Sequence, residues 1–124
     1  MFRTIPKAVS AVGLVAAACM ALSLTATAGE LAKGDQISDT VSGKTYQGSM
    51  LKDSFVEYYD ADGTIRGGDY KGTWRVTEDA MCFTYGDNPE KCWGLEINGP
   101  AVTLYKDGKV DGTGILIDGN PNNF

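Results

Sequence analysis

The sequence predicts a mainly β domain: an antiparallel meander of about eight short strands, curled or closed into a barrel, with one short N-terminal helix. Three observations carry that reading. From Lys44 onward, short runs rich in Val, Ile, Thr, Tyr, Phe and Trp follow one another. Strong turn sequences separate them: DADG at 60–63, TEDA at 77–80, Asn98-Gly99 and Asp107-Gly108. Within the runs apolar and polar residues alternate, the mark of a strand with one buried face.

The first element is a targeting segment. Arg3 and Lys7 precede an uncharged, mostly apolar run from Ala8 to Leu24, and Ala26-Thr27-Ala28 closes it. That layout predicts a signal peptide over 1–28, cleaved after Ala28. Cys19 does not fit a lipoprotein signal, because Ala16 stands where a Leu-like residue is wanted and the apolar run continues through Leu22. Cleavage leaves a single domain, 29–124, of 96 residues, and moves the net charge from −5 to −7 because Arg3 and Lys7 are lost. An acidic chain has little to offer phosphate backbones, so nucleic acid is excluded as a partner, and no membrane span is expected after cleavage.

A short helix comes next. Asp35 is its expected N-cap, Ile37 and Val41 share one face, and Gly43 supplies the stop. About two turns cannot hold alone, so this helix must dock. The strands read as 44–50, 54–59, 64–67, 70–76, 81–85, 91–97, 101–106 and 109–117, with Asp107-Gly108 as a two-residue type I′ hairpin turn. Alternation places Tyr70, Trp74, Val76, Met81, Phe83, Tyr85, Trp93, Leu95, Ile97, Val102 and Leu104 on the core face. Ile115 and Ile117 are expected to close that face, and Phe124 to act as a final plug. With so many large side chains facing inward, a filled interior is expected over a roomy one.

Cys82 and Cys92 are the only cysteines after the signal, and the chain has no histidine. A structural zinc site needs four Cys or His ligands, and a redox couple of the thioredoxin kind needs C-x-x-C. Neither is present. In a hairpin with GDNPE as its loop, Cys82 faces Cys92 and Met81 faces Trp93, so the two thiols should form a structural disulfide on the face away from the core.

No catalytic constellation stands out. Glu57, Glu78, Glu90 and Glu96 are carboxylates without an evident partner, the serines lie outside any G-x-S-x-G context, and the commonest general base is missing. DADGT at 60–64 lacks the later ligands of a calcium loop and reads as a turn. The expectation is a non-enzymatic protein with no metal and no cofactor.

Gly72-Thr73-Trp74 resembles the G-x-W feature of lipocalin- and avidin-like barrels, although there it lies on the first strand. The larger pattern is SGKTYQG at 42–48, YYDADGTIRG at 58–67, GTWRV at 72–76, CFTYG…CW and a terminal DGNP. It resembles a family of small secreted proteobacterial proteins of unknown function, which implies a periplasmic β-domain and carries no activity. Trp93-Gly94-Leu95 with Leu104 is also similar to a strand pair of small barrel inhibitors of secreted proteases. That likeness implies a free N-terminal blocking segment, here Gly29 to Gly34.

The expected function is therefore binding, in the periplasm or outside the cell. The first class is a small or glycan-like ligand held by exposed aromatics and Arg, with Tyr46, Tyr58, Arg66, Trp74 and Trp93 as candidate contacts. The alternative is a protein-recognition module such as a barrel-type inhibitor of a secreted hydrolase. An aromatic-lined cavity would favour the first; a filled barrel with an ordered N-terminal arm would favour the second.

Overall fold

Eight consecutive antiparallel strands close on themselves in the computed structural model, which describes residues 30–124. The signal peptide, its cleavage site and Cys19 lie outside the described residues. Helix α1 (Gly34–Val41) leads into β1 (Lys44–Met50), β2 (Asp53–Tyr59), β3 (Thr64–Arg66) and β4 (Lys71–Val76). The chain continues through β5 (Met81–Tyr85), β6 (Lys91–Asn98), β7 (Ala101–Lys106) and β8 (Lys109–Asp118). Each strand pairs with its sequence neighbours, and β8 returns to β1 with Tyr46 opposite Leu116. Closure pairs the edges of the first and last strands, which a curled meander would leave exposed.

The strands form where alternation places them. Asp107 and Gly108 have φ of 51° and 75°, as a type I′ turn requires, and Lys106 pairs with Lys109 across it. Cys82 lies opposite Cys92 and Met81 opposite Trp93, as the loop length dictates. The disulfide is formed, with the two Cα atoms 4.0 Å apart. Cys82 points away from the barrel axis yet is fully buried, and the Glu90 carboxylate lies within 4.8 Å of both sulfurs. Arg75 holds that carboxylate, with its Nε 2.8 Å from Glu90 Oε2. Cys82, Glu90 and Cys92 are the one grouping of potential metal ligands among the described residues, and both thiols are consumed by the disulfide.

Three expectations need correction. Lys33, not Asp35, is the N-cap of α1, and Asp35 sits in the first turn, where its charge suits the helix dipole. Helix α1 starts two residues earlier than expected because the Gly34 amide is already tied to the Glu78 carbonyl at 2.8 Å. On β8 the inward positions are Gly112, Gly114 and Leu116, leaving Ile115 47% exposed on the outer wall. A Cβ on Gly114 would come within 2.5 Å of the Tyr46 ring, so the strand must turn its glycines inward and its isoleucines out. Phe124 rests against Gly68 in the β3–β4 turn instead of plugging the barrel.

The two barrel ends differ. At the end where β1 begins, Ile37 and Val41 of α1 join Ile65, Trp74, Met81, Leu95 and Val102 in a packed core. There the expected filled interior is found. The outer wall carries Lys71, Thr73, Arg75 and Thr113 together with the exposed Ile115. No helix among the described residues is long and apolar enough to cross a membrane.

Candidate functional site

The opposite end, where β1 ends and β2 begins, is open. A cavity of about 330 Å³ enters the barrel there, between Met50, Leu51, Asp53 and Phe55 on one side and Tyr70, Tyr85, Trp93 and Leu104 on the other. Glu57, Tyr59 and Phe83 form its floor. The volume lies at the small end of the range for ligand pockets, about 300–1,000 Å³.

Glu57 is the chemical centre of this space. On β2, Phe55, Glu57 and Tyr59 point inward in alternation, so the carboxyl belongs to an apolar stripe and is only 1% exposed. Three tyrosine hydroxyls donate to it. Tyr59 and Tyr85 reach Oε1 at 2.8 and 2.7 Å, and Tyr70 reaches Oε2 at 2.7 Å. None of the ion pairs among the described residues involves Glu57.

Each donor has a structural reason to be there. Tyr85 ends β5, and its ring leans over Gly72, where a Cβ would approach the ring to 2.9 Å. Tyr59 ends β2 and packs edge-on to Trp74, with ring centroids 6.2 Å apart. Tyr70 comes from the β3–β4 turn and fills a gap in the wall. Strand β3 pairs with β2 only at Tyr58–Arg66 and Tyr59–Ile65, so Asp53–Glu57 has no neighbour on that side. The Tyr70 side chain bridges the slot, and the residue is 37% exposed.

The electrostatics follow from this enclosure. Burial pushes the Glu57 carboxyl above its ordinary range, and the hydroxyls of Tyr70, Tyr85 and Tyr59 pull part of the way back. The tyrosines respond in the same sense: burial and then the Glu57 charge raise Tyr59 and Tyr85, while burial and then the bond to Glu57 raise Tyr70. Tyr46, buried beside them, is pushed up to about 12 by burial and the Glu57 charge.

Of the expected contact residues, Trp93 alone lines this cavity. Its indole N–H donates to Asp111 Oδ2 at 2.9 Å, and Lys106 Nζ sits 4.8 Å from the ring centroid. Tyr46 is inside the barrel, where its hydroxyl bonds the Ser49 carbonyl at 2.9 Å. Trp74 belongs to the packed end and donates to the Asp60 carbonyl at 2.8 Å. Tyr58 and Arg66 face outward, and Arg66 pairs with Asp60 at 3.3 Å. The five residues are not brought together.

The residues that do converge are Glu57, Tyr59, Tyr70 and Tyr85. Sequence reasoning placed Tyr70 and Tyr85 on the core face but left Glu57 as a carboxylate without a partner. The available signal was its phase: an acid in step with Phe55 and Tyr59 on a strand must point into the barrel.

Comparison with protein-family models, with curated proteins and with solved structures returned no match for this chain.

Proposed function

We propose that this protein is a small-molecule binding barrel, exported to the periplasm or beyond, whose ligand enters the open mouth and is held against Glu57. The observation that carries this reading is a buried carboxyl with three convergent hydroxyls at the base of an aromatic cavity that is otherwise apolar. A few aimed polar groups in an apolar concavity are what fix the orientation of a bound small molecule. The disulfide supports a compartment that oxidises thiols.

The barrel acts by binding and not by turnover in this reading. Glu57 is the one carboxyl on the cavity floor, and Asp53, the other acid of the lining, lies at the rim on the same strand. Recognition of a secreted hydrolase is the less favoured reading. The arm ahead of α1 is ordered, but ordered against its own barrel: the Ala32 amide donates to the Leu95 carbonyl at 2.7 Å, and Ala32 is buried. A segment fastened in this way is not free to enter another protein's cleft.

Native mass spectrometry of the protein recovered from its own compartment tests the proposal. A retained non-covalent mass of small-molecule size is expected, together with a polypeptide beginning at Gly29. Stoichiometric retention of a protein partner in its place would favour the recognition module, and a lipidated species beginning at Cys19 would overturn the cleavage and the localisation.

A further inference from the structure

We propose that the ligand is a small organic cation, an arylalkyl or alkyl ammonium whose N–H donates to Glu57 while its carbon body lies against the aromatic walls. This rests on the binding reading above and commits it to one ligand chemistry.

Three features of the cavity point the same way. The first is valence. An ionised carboxylate offers about four lone-pair sites. Oε1 accepts from both Tyr59 and Tyr85, whereas Oε2 accepts from Tyr70 alone, so the unfilled site is on Oε2. Three donors converge on Glu57 as they would on an anion, yet no cationic side chain lines the cavity. In the empty barrel burial favours the neutral carboxyl, and a positively charged ligand would supply the partner that lets Glu57 ionise.

The second is the wall. Phe55, Tyr70, Tyr85 and Trp93 stand around a floor that Tyr59 and Phe83 share with Glu57, and ring faces attract cations, most strongly where water is excluded. The third is the sign of the charged residues that line the cavity, Asp53 and Glu57. Asp53 lies at the rim and Asp111 holds the edge of Trp93. Lys106, beside the mouth, is engaged with the Trp93 ring. Anionic ligands such as fatty acids would meet carboxylates at the rim and on the floor. The volume limits the cation to roughly one ring with a short amine arm.

Three probes of nearly one shape separate charge from shape: 2-phenylethylammonium, neutral 2-phenylethanol and anionic 3-phenylpropanoate. Their affinities are measured by calorimetry at neutral pH on the wild-type protein and on Glu57→Gln. The ammonium should bind roughly tenfold or more tighter than the alcohol, with the carboxylate weakest. Glu57→Gln should bring the ammonium down to the level of the alcohol, a loss of roughly tenfold or more. The wild-type ranking decides the matter even if Glu57→Gln does not fold. Equal binding of alcohol and ammonium overturns the cation assignment but leaves the binding barrel standing, and so does preference for the carboxylate. Failure of all three probes also overturns the assignment, and the binding reading is then judged by whether a non-cationic mass is retained natively.

Discussion

Glu57→Gln should flatten the pH dependence of stability across the window above the ordinary carboxyl value. In the native barrel Glu57 is buried without a cationic partner, and burial holds its pKa above that of the unfolded chain. As pH rises between those two values the unfolded chain has lost a proton that the native chain keeps. Stability contributed by the protonated form is therefore complete at the low end of the window and declines toward its high end. Each unit of separation is worth about 1.4 kcal/mol. In a domain of this size each kcal/mol moves Tm by about 4–8 °C. Urea unfolding followed by tryptophan fluorescence, on wild type and Glu57→Gln between about pH 5 and 8, reads this directly. The wild-type advantage should shrink as pH rises. Glu90 and Asp118 are lowered by their bonds to Arg75 and Lys44, so their losses fall below the window and do not imitate the effect. A wild-type advantage that stays constant or grows with pH would refute the buried, unpaired carboxyl.

Three further outcomes follow from the same packing. Trp74→Ala should cost about 3–5 kcal/mol and yield little folded protein, whereas Arg75→Ala on the outer wall should fold and lose far less, as denaturation midpoints of the two variants will show. Replacing Cys82 and Cys92 together by Ala should lower stability by about 2–3 kcal/mol while leaving ligand affinity at low temperature unchanged, because the bond lies on the outer wall away from the cavity. In an alkaline absorbance titration Tyr59, Tyr70 and Tyr85 should be missing from the step near pH 10 and should ionise only as the barrel unfolds. Their raised values mean that stability is lost as pH climbs above that step.

Much of the barrel was legible in the sequence because local rules and tertiary packing agree. Cys82 and Cys92 face each other since the loop between them has one natural register, and Asp107-Gly108 can hardly be anything but a hairpin turn. Ring closure was left open because pairing of β8 with β1 joins residues more than sixty positions apart, and no local signal encodes that contact. Strand β8 was misread for a related reason. Its isoleucines look like core residues, but two inward positions, Gly112 and Gly114, lie against Leu104 and Tyr46 with no room for a Cβ.

The site was less legible than the fold. Candidate contacts were chosen by residue type, which favours tryptophan and arginine; in the barrel Trp74 became core and Arg66 became half of an outer ion pair. Glu57 was passed over because a carboxylate is ordinarily a surface residue, and its three tyrosine partners come from the end of its own strand, from β5 and from the β3–β4 turn. Such convergence exists only once the barrel has closed.

The most direct measurement is an NMR titration of isotopically labelled protein with a panel of small aromatic amines and alcohols. Binding at the mouth should shift the Trp93 indole N–H, which is bonded to Asp111, together with the backbone amides of Glu57, Tyr70 and Tyr85, and should leave Tyr58 and Arg66 unmoved. Shifts confined to the outer wall around Tyr58 and Arg66, with the Trp93 indole and Glu57 unchanged, would contradict the claim that this cavity is the binding site.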